Sequence, residues 1–171
     1  AHFTGNFGPA EYGGEPGELA RACPNVQRAV VDAFDRHAPE RYEVGIECTH
    51  HGPTDVGAPS LFVELGSSDA EWTDPEGARP VARSVLELSG VRPDAMPGAE
   101  GSVRETDWRV GHVAADWGLS SMGAPDANTD LVAAAFEESA ATRAVVVDDD
   151  PELATVIGDL GYRVVGETWL R

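Results

Sequence analysis

Four apolar stripes with helical spacing alternate with short β-type runs along this chain, and that order admits few folds. Val26, Ala29, Val30, Ala33, Phe34 and His37 follow the i, i+3, i+4, i+7 rule behind Pro24. Ala78, Val81, Ala82, Val85 and Leu86 repeat the rule behind Asp74-Pro75, an N-cap followed by proline. Pro80 interrupts this second stripe and pushes the expected helix start later. Leu131, Val132, Ala135 and Phe136 make a third stripe; Leu153, Val156, Ile157 and Leu160 make a fourth, opened by Pro151 and closed by Gly161. Between them, Tyr42, Val44, Ile46 and Cys48 alternate at period two, and residues 61–65 read as a strand between Pro59 and Gly66. Val145-Val146-Val147 is a β-branched run of the kind covered on both faces, while residues 109–113 and 162–165 are weaker strand signals. The expectation is a single α/β domain over residues 1–171, a layered mixed or parallel sheet flanked by helices. Residues 90–102 read as a flexible or truncated connection within it.

Charge narrows the setting more than the function. The 171 residues carry 12 Lys+Arg against 30 Asp+Glu, a formal net charge of −18, and every basic residue is arginine. An acid-rich, lysine-free surface stays hydrated in concentrated salt, where fields reach only about 3 Å at 1 M. That composition points to a halophilic microbe. The acidity would ordinarily count against a nucleic-acid partner, but in molar salt the counterion benefit of basic surfaces is largely gone, so the sign decides little. No run approaches the roughly 20 apolar residues of a membrane span, and the polar, glycine-rich start does not read as a signal peptide. Cys23 and Cys48 form no close metal or redox pair, which fits reduced thiols in a cytoplasmic protein.

The chemistry concentrates in three places. Thr49-His50-His51-Gly52-Pro53-Thr54 directly follows the period-two run, so two imidazoles emerge at a strand end, where α/β proteins place their sites. They either supply a metal ligand and an acid/base or cap a turn and face solvent. His2-Phe3-Thr4-Gly5-Asn6-Phe7-Gly8 offers a third imidazole, polar side chains and glycines, or is an ordinary glycine-rich loop. Glu47 and Glu64 sit in two strand patterns; on a cleft they would orient an imidazole, bind a cation or accept an amine. Gly111-His112 adds a fourth histidine, and His37 falls where it can meet its helix C-terminus. Ser67 or Ser68 with Glu71 has the spacing of a capping box, and no Gly-x-Ser-x-Gly elbow surrounds either serine as a nucleophile. Asp148-Asp149-Asp150 before Pro151 reads as a solvated helix start rather than a cation site. No Walker loop, dinucleotide fingerprint, HExxH or CxxC pair is present.

Three ordered strings carry a resemblance. His2-Phe-Thr-Gly-Asn-Phe-Gly, Glu47-Cys-Thr-His-His-Gly-Pro-Thr54 and Pro59-Ser-Leu-Phe-Val-Glu-Leu-Gly-Ser-Ser-Asp-Ala-Glu-Trp72, with Gly111-His112-Val113, resemble the archaeal and plant type of D-aminoacyl-tRNA deacylase. The likeness is clear over residues 1–89 and collinear from 103 onward. It implies hydrolysis of the ester between a D-amino acid and tRNA, a phosphorylase/hydrolase-like fold related to peptidyl-tRNA hydrolase, and zinc. It also implies D-aminoacyl-tRNA as partner, no membrane, and a monomer. On the matched positions it implies His50, His51, Thr49 and Glu47 as catalytic residues. Thr4, Gly5, Asn6, Gly52, Thr54 and Glu64 would bind substrate, with Gly5 and Gly52 lining the pocket closely enough to sense handedness. His2, His50, His51 and His112 would form the metal set. The chain departs from the family in lacking an N-terminal portion and a Gly-Gly-x-His-Tyr-Ala-Pro stretch, so a partial or segment-deleted member is expected. A tRNA- or metal-binding remnant without catalysis, or a metal-dependent hydrolase of a small ester or peptide, are the alternatives. The expected tRNA contacts are the scattered arginines Arg79, Arg83, Arg104 and Arg109, or else basic groups in absent parts.

Overall fold

The helical stripes form where their spacing places them, because each buries one face against the same interior. The computed structural model describes residues 1–93, 109–147 and 150–170; most of the 90–102 connection, with Arg104, Asp148 and Asp149, lies outside the described residues. The helices are α1 (Pro24–His37), α2 (Asp69–Trp72), α3 (Pro75–Leu86), α4 (Asp116–Met122), α5 (Thr129–Ser139) and α6 (Pro151–Asp159). In α1, Val30 and Ala33 are completely buried and Phe34 nearly so. The helix starts follow the caps read from the chain: Ser68 accepts from the Ala70 N–H, and Asp150 from the Leu153 N–H at 3.0 Å. Both cap serine and Glu71 are thereby engaged in the helix start, Ser68 Oγ donating to the Glu71 carboxylate.

Pro80 does not delay α3. Asp74 Oδ1 accepts the Glu76 N–H at 2.9 Å and starts the helix at Pro75. The bond that Pro80 cannot donate would have gone to the carbonyl of Glu76, an exposed residue, while the Pro80 ring is buried.

The strands differ more from expectation. β1 (His2–Phe3) pairs antiparallel with β2 (Leu61–Phe62), His2 opposite Phe62 and Phe3 opposite Leu61. β3 (Arg143–Val145) pairs in parallel with β4 (Arg163–Val165) across α6, a βαβ unit. The result is a mixed α/β protein in which, among the described residues, two small sheets stand in place of the single layered sheet that the alternation suggests. The β-branched run pairs only as far as Val145, and Val147 is 56% exposed instead of covered. Residues 42–48 and 109–113 form no strand. The physical reason lies in their partners. β1 is short because Thr4–Asn6 turns to bond residues 18–20, Asn6 N–H to Glu18 O at 2.7 Å and Ala20 N–H to Thr4 O at 3.1 Å. The histidine segment is therefore held by isolated bonds, Glu47 N–H to Ala1 O, Thr49 N–H to Val113 O and Gly5 N–H to His51 O.

Two clusters make the core. Phe3, Ala22 and Cys23 pack with Val26 and Leu61 beneath β1. Phe7 and Leu19 join Met122, Leu131, Val132, Phe136, Val156 and Ile157, which ties the N-terminal loop to the C-terminal helices. Phe136 stacks on Tyr162 with ring centroids 3.9 Å apart. At the base of the histidine segment, Arg41 bonds Asp74 and Glu76 while the Tyr42 hydroxyl donates to Asp74 at 2.6 Å. The Tyr42 hydroxyl and Arg41 hold the Asp74 carboxyl down at about 2, so this latch stays charged. His37 meets Glu87, just past the end of α3, at 2.6 Å, so its partner is a carboxylate in addition to any helix-end effect.

Phe136→Ala is expected to cost about 3–5 kcal/mol, since it empties a packed site. Val147→Ala, on an exposed edge, should stay within about 0.5 kcal/mol. Denaturant unfolding in molar KCl measures both, and equal losses would place the core elsewhere.

Candidate active site

β1 buries the first imidazole completely. His2 is 0% exposed, and its Nδ1 lies 2.9 Å from the Phe3 carbonyl. A carbonyl only accepts, so Nδ1 carries the proton and Nε2 of the neutral ring presents a bare lone pair. That lone pair faces Glu64 Oε2 at 3.2 Å and makes no hydrogen bond. Two acceptors at this distance need a shared cation or proton between them.

The segment after Glu47 brings two more rings to the same place. His50 Nδ1 donates to the Cys48 carbonyl at 2.8 Å, leaving its Nε2 free on the side of Glu47 at 4.0 Å. His51 Nε2 lies 3.9 Å from Glu64 Oε1. Ring centroids are 4.5 Å apart for His2–His50, 4.8 Å for His2–His51 and 4.3 Å for His50–His51. Phe62, the last residue of β2, packs edge-on to His2 and against His51. Burial, together with the neighbouring His50 and His2, pushes the His51 pKa down, favouring its neutral form. Two sets of donors converge enough to hold a metal ion: His2, His50 and His51, and His2, Glu47 and Glu64, with ligand atoms within 4.8 Å of one another. A ring nitrogen that donates to a carbonyl while the other stays bare is how metal-binding histidines are oriented. An open groove of about 1020 Å³ adjoins them, lined by Glu43, Ile46, Glu47, His50, Glu64 and Trp72 among others.

The other expected residues have different tasks. His112 stands apart from the three imidazoles: its Nε2–H donates to the Ala20 carbonyl and its Nδ1 accepts from Thr49 Oγ1, both at 2.8 Å. Neither nitrogen is left for a metal. Thr49, 2% exposed, spends its hydroxyl on His112, so it anchors the segment from behind while His50 and His51 face the cluster. Thr4 is buried with its hydroxyl on Ser60, and Thr54 bridges Glu18 and the Glu15 N–H. Asn6 Nδ2 donates to the carbonyls of Gly13, Glu15 and Gly52, tying the glycine-rich loop to the histidine loop.

The Cβ directions of Gly5 and Gly52 point into packed protein. A Cβ on Gly52 (φ 116°) would meet Phe62 at 2.8 Å and Thr4 at 2.9 Å; one on Gly5 (φ 148°) would meet Leu19 at 2.8 Å. They are glycines because backbone and core press on them. Cys23 and Cys48 form no disulfide, and burial beside Glu47 raises the Cys48 thiol pKa, which makes it a poor nucleophile. Two aromatic rings that the strings did not single out, Tyr12 and Trp117, stand against His51 and His50. Their only signal in the chain is an aromatic residue in a polar, glycine-rich or helix-start context.

A sequence model of the D-aminoacyl-tRNA deacylase family matches residues 1–164. The chain belongs to that family. It is similar to the D-aminoacyl-tRNA deacylase of Haloquadratum walsbyi, 58% identical over 99% of this chain and 36% of that protein. It is similar also to that of Halorubrum lacusprofundi, 50% identical over 100% of this chain and 40% of that protein. The deacylase of Methanoregula boonei is 37% identical over 98% of this chain and 41% of its own length. The chain thus spans about two fifths of the length of these deacylases. Haloarchaeal relatives accord with the lysine-free, acidic composition. Among the described residues, no helix is long and apolar enough to cross a membrane.

Burial lowers the His112 pKa from 6.5 to about 4. The folded state thus holds a neutral ring where the unfolded chain takes up a proton, so the stabilisation is complete above pH 6.5 and disappears as pH falls towards 4. The expected loss is about 3 kcal/mol at about 1.4 kcal/mol for each pH unit. Unfolding free energies at a series of pH values, compared between the natural chain and His112→Phe, measure it; parallel curves would refute the buried neutral ring.

Proposed function

We propose that this chain carries the hydrolytic centre of a D-aminoacyl-tRNA deacylase, cleaving the ester that joins a D-amino acid to the 3′ end of tRNA in the cytoplasm. The observation that carries this reading is the bare Nε2 of buried His2 facing Glu64, with His50 and His51 closing the same cluster. In this reading residues 1–171 form one catalytic α/β unit, phosphorylase/hydrolase-like and related to peptidyl-tRNA hydrolase, within a longer protein.

Zinc is the metal this donor set suits. Imidazole nitrogens and carboxylate oxygens are its usual oxygen and nitrogen ligands, and two of the three rings are already oriented through their Nδ1–H groups. His2, His50 and His51 would hold it, with Glu64 or Glu47 as an alternative donor. When bound, zinc polarises a carbonyl and lowers the pKa of water. The protein's own groups do the rest. With the three rings on the metal, the Glu64 carboxylate beside His2 and His51 accepts the proton of the attacking water. Glu47 and Glu64 face His50 and His51 and present negative charge to the ammonium group of the amino acid. An aminoacyl ester is already reactive, so positioning and charge account for much of the rate.

The groove's carboxylates, Glu43, Glu47 and Glu64, also favour a second reading, hydrolysis of a small cationic ester or peptide. The assay that separates the two compares D-tyrosine release from charged tRNA with release from a simple D-tyrosine ester in high salt. The deacylase reading expects a strong preference for the charged tRNA. His50→Ala and His51→Ala should each lower that rate by about 100-fold or more; unchanged rates in both would sink the assignment. Zinc retention after dialysis should fall by at least about tenfold in His2→Ala, and a chelator should abolish hydrolysis. Full retention in that variant would remove His2 from the metal set.

A further inference from the structure

Two exposed aromatic rings bracket the imidazole pair. Trp117, in the first turn of α4, meets the His50 ring edge-on at 5.7 Å and is 54% exposed. Tyr12, in the glycine-rich loop, meets the His51 ring at 5.8 Å and is 74% exposed. With His50 and His51 in mutual edge contact at 4.3 Å, the four rings form a continuous run, Tyr12–His51–His50–Trp117. Gly118 and Met122 carry the buried face of α4, which leaves the Trp117 ring off the core and largely open to solvent. Neither ring belongs to a core cluster. Leaving so much aromatic surface in water is unfavourable unless something covers it.

The chemistry of the neighbouring centre indicates what does. The ester to be cleaved sits on the terminal ribose, so the base of that nucleotide must lie within about one sugar of the imidazoles. Unpaired bases are held chiefly by stacking on aromatic side chains. Electrostatics cannot replace stacking here. The chain has 12 arginines against 30 carboxylates, and Arg28, Arg36 and Arg41 are already paired with Asp32, Glu87, Asp74 and Glu76. In molar salt, phosphate contacts lose most of their strength while stacking of neutral rings does not.

We infer that Trp117 and Tyr12 are the stacking surfaces for the unpaired nucleobases at the 3′ end of the charged tRNA, an inference that rests on the deacylase reading. The rings position the substrate and take no part in bond cleavage. The carboxylate-lined groove that His50 and Trp72 also line takes the amino acid.

The test uses a dye-labelled trinucleotide, CpCpA, titrated against the protein in molar KCl and followed by fluorescence anisotropy. Trp117→Ala should weaken binding about tenfold, and Tyr12→Ala several-fold, as expected for loss of one stacked base. Trp117→Phe should restore most of it. On D-tyrosyl-tRNA, Trp117→Ala should raise KM more than it lowers kcat. Trinucleotide binding by both alanine variants equal to that of the natural chain would overturn the inference. Stacking-dependent trinucleotide binding by a protein that releases no D-tyrosine would instead overturn the deacylase reading and leave the stacking surfaces standing.

Discussion

Burial of the His2 imidazole organises this molecule. A ring with no solvent contact must find its partners inside, and it does so by giving its Nδ1 proton to the Phe3 carbonyl on the same short strand. Its other nitrogen then faces the Glu64 carboxylate at 3.2 Å and has no other partner. A buried ring nitrogen facing a carboxylate is unfavourable without a proton or cation between them, and a protein that keeps the pair has a use for the site. Phe62 and the adjacent His50 and His51 are packed around the ring, so β1, β2 and the histidine segment are held to one geometry through a single side chain.

What could be read from the chain follows from which interactions are local. The helices were readable because an apolar stripe and a cap are properties of a dozen consecutive residues; Asp74, Ser68 and Asp150 cap where they should. Strand signals report only an extended conformation, and a ladder needs a partner of equal length. Residues 42–48 alternate correctly and still form no strand, since Gly5 and its neighbours leave β1 for residues 18–20 after two pairs. Pro80 misled for the same reason: its cost depends on whether the orphaned carbonyl reaches solvent, which spacing does not report.

The site divides the same way. His2, His50 and His51 were visible as imidazoles in short motifs, and the fold brings them together. His112 looked equivalent to them, but its environment, the Thr49 hydroxyl on one side and the Ala20 carbonyl on the other, comes from distant segments. The polar residues of the glycine-rich string turn out to tie loops, and the two glycines give way to Leu19, Phe62 and Thr4. Tyr12 and Trp117 had no motif to announce them. Arg79 and Arg83 lie exposed on α3, where charge in the sequence marks surface without saying where a polyanion would meet it.

The sparse bonding of the histidine segment has a mechanical side. Donor atoms that lie within 4.8 Å of one another need at most small shifts to bond one zinc ion at about 2 Å each. A fully laddered strand would resist drawing them in. Between Glu47 and His51 the backbone is fastened by single bonds to Ala1 and Gly5 of the N-terminal stretch and to Val113, with the Thr49 hydroxyl as a pivot on the buried side. The histidines therefore ride on a compliant span anchored at its back, able to tighten by fractions of an ångström while the core behind Thr49 stays where it is.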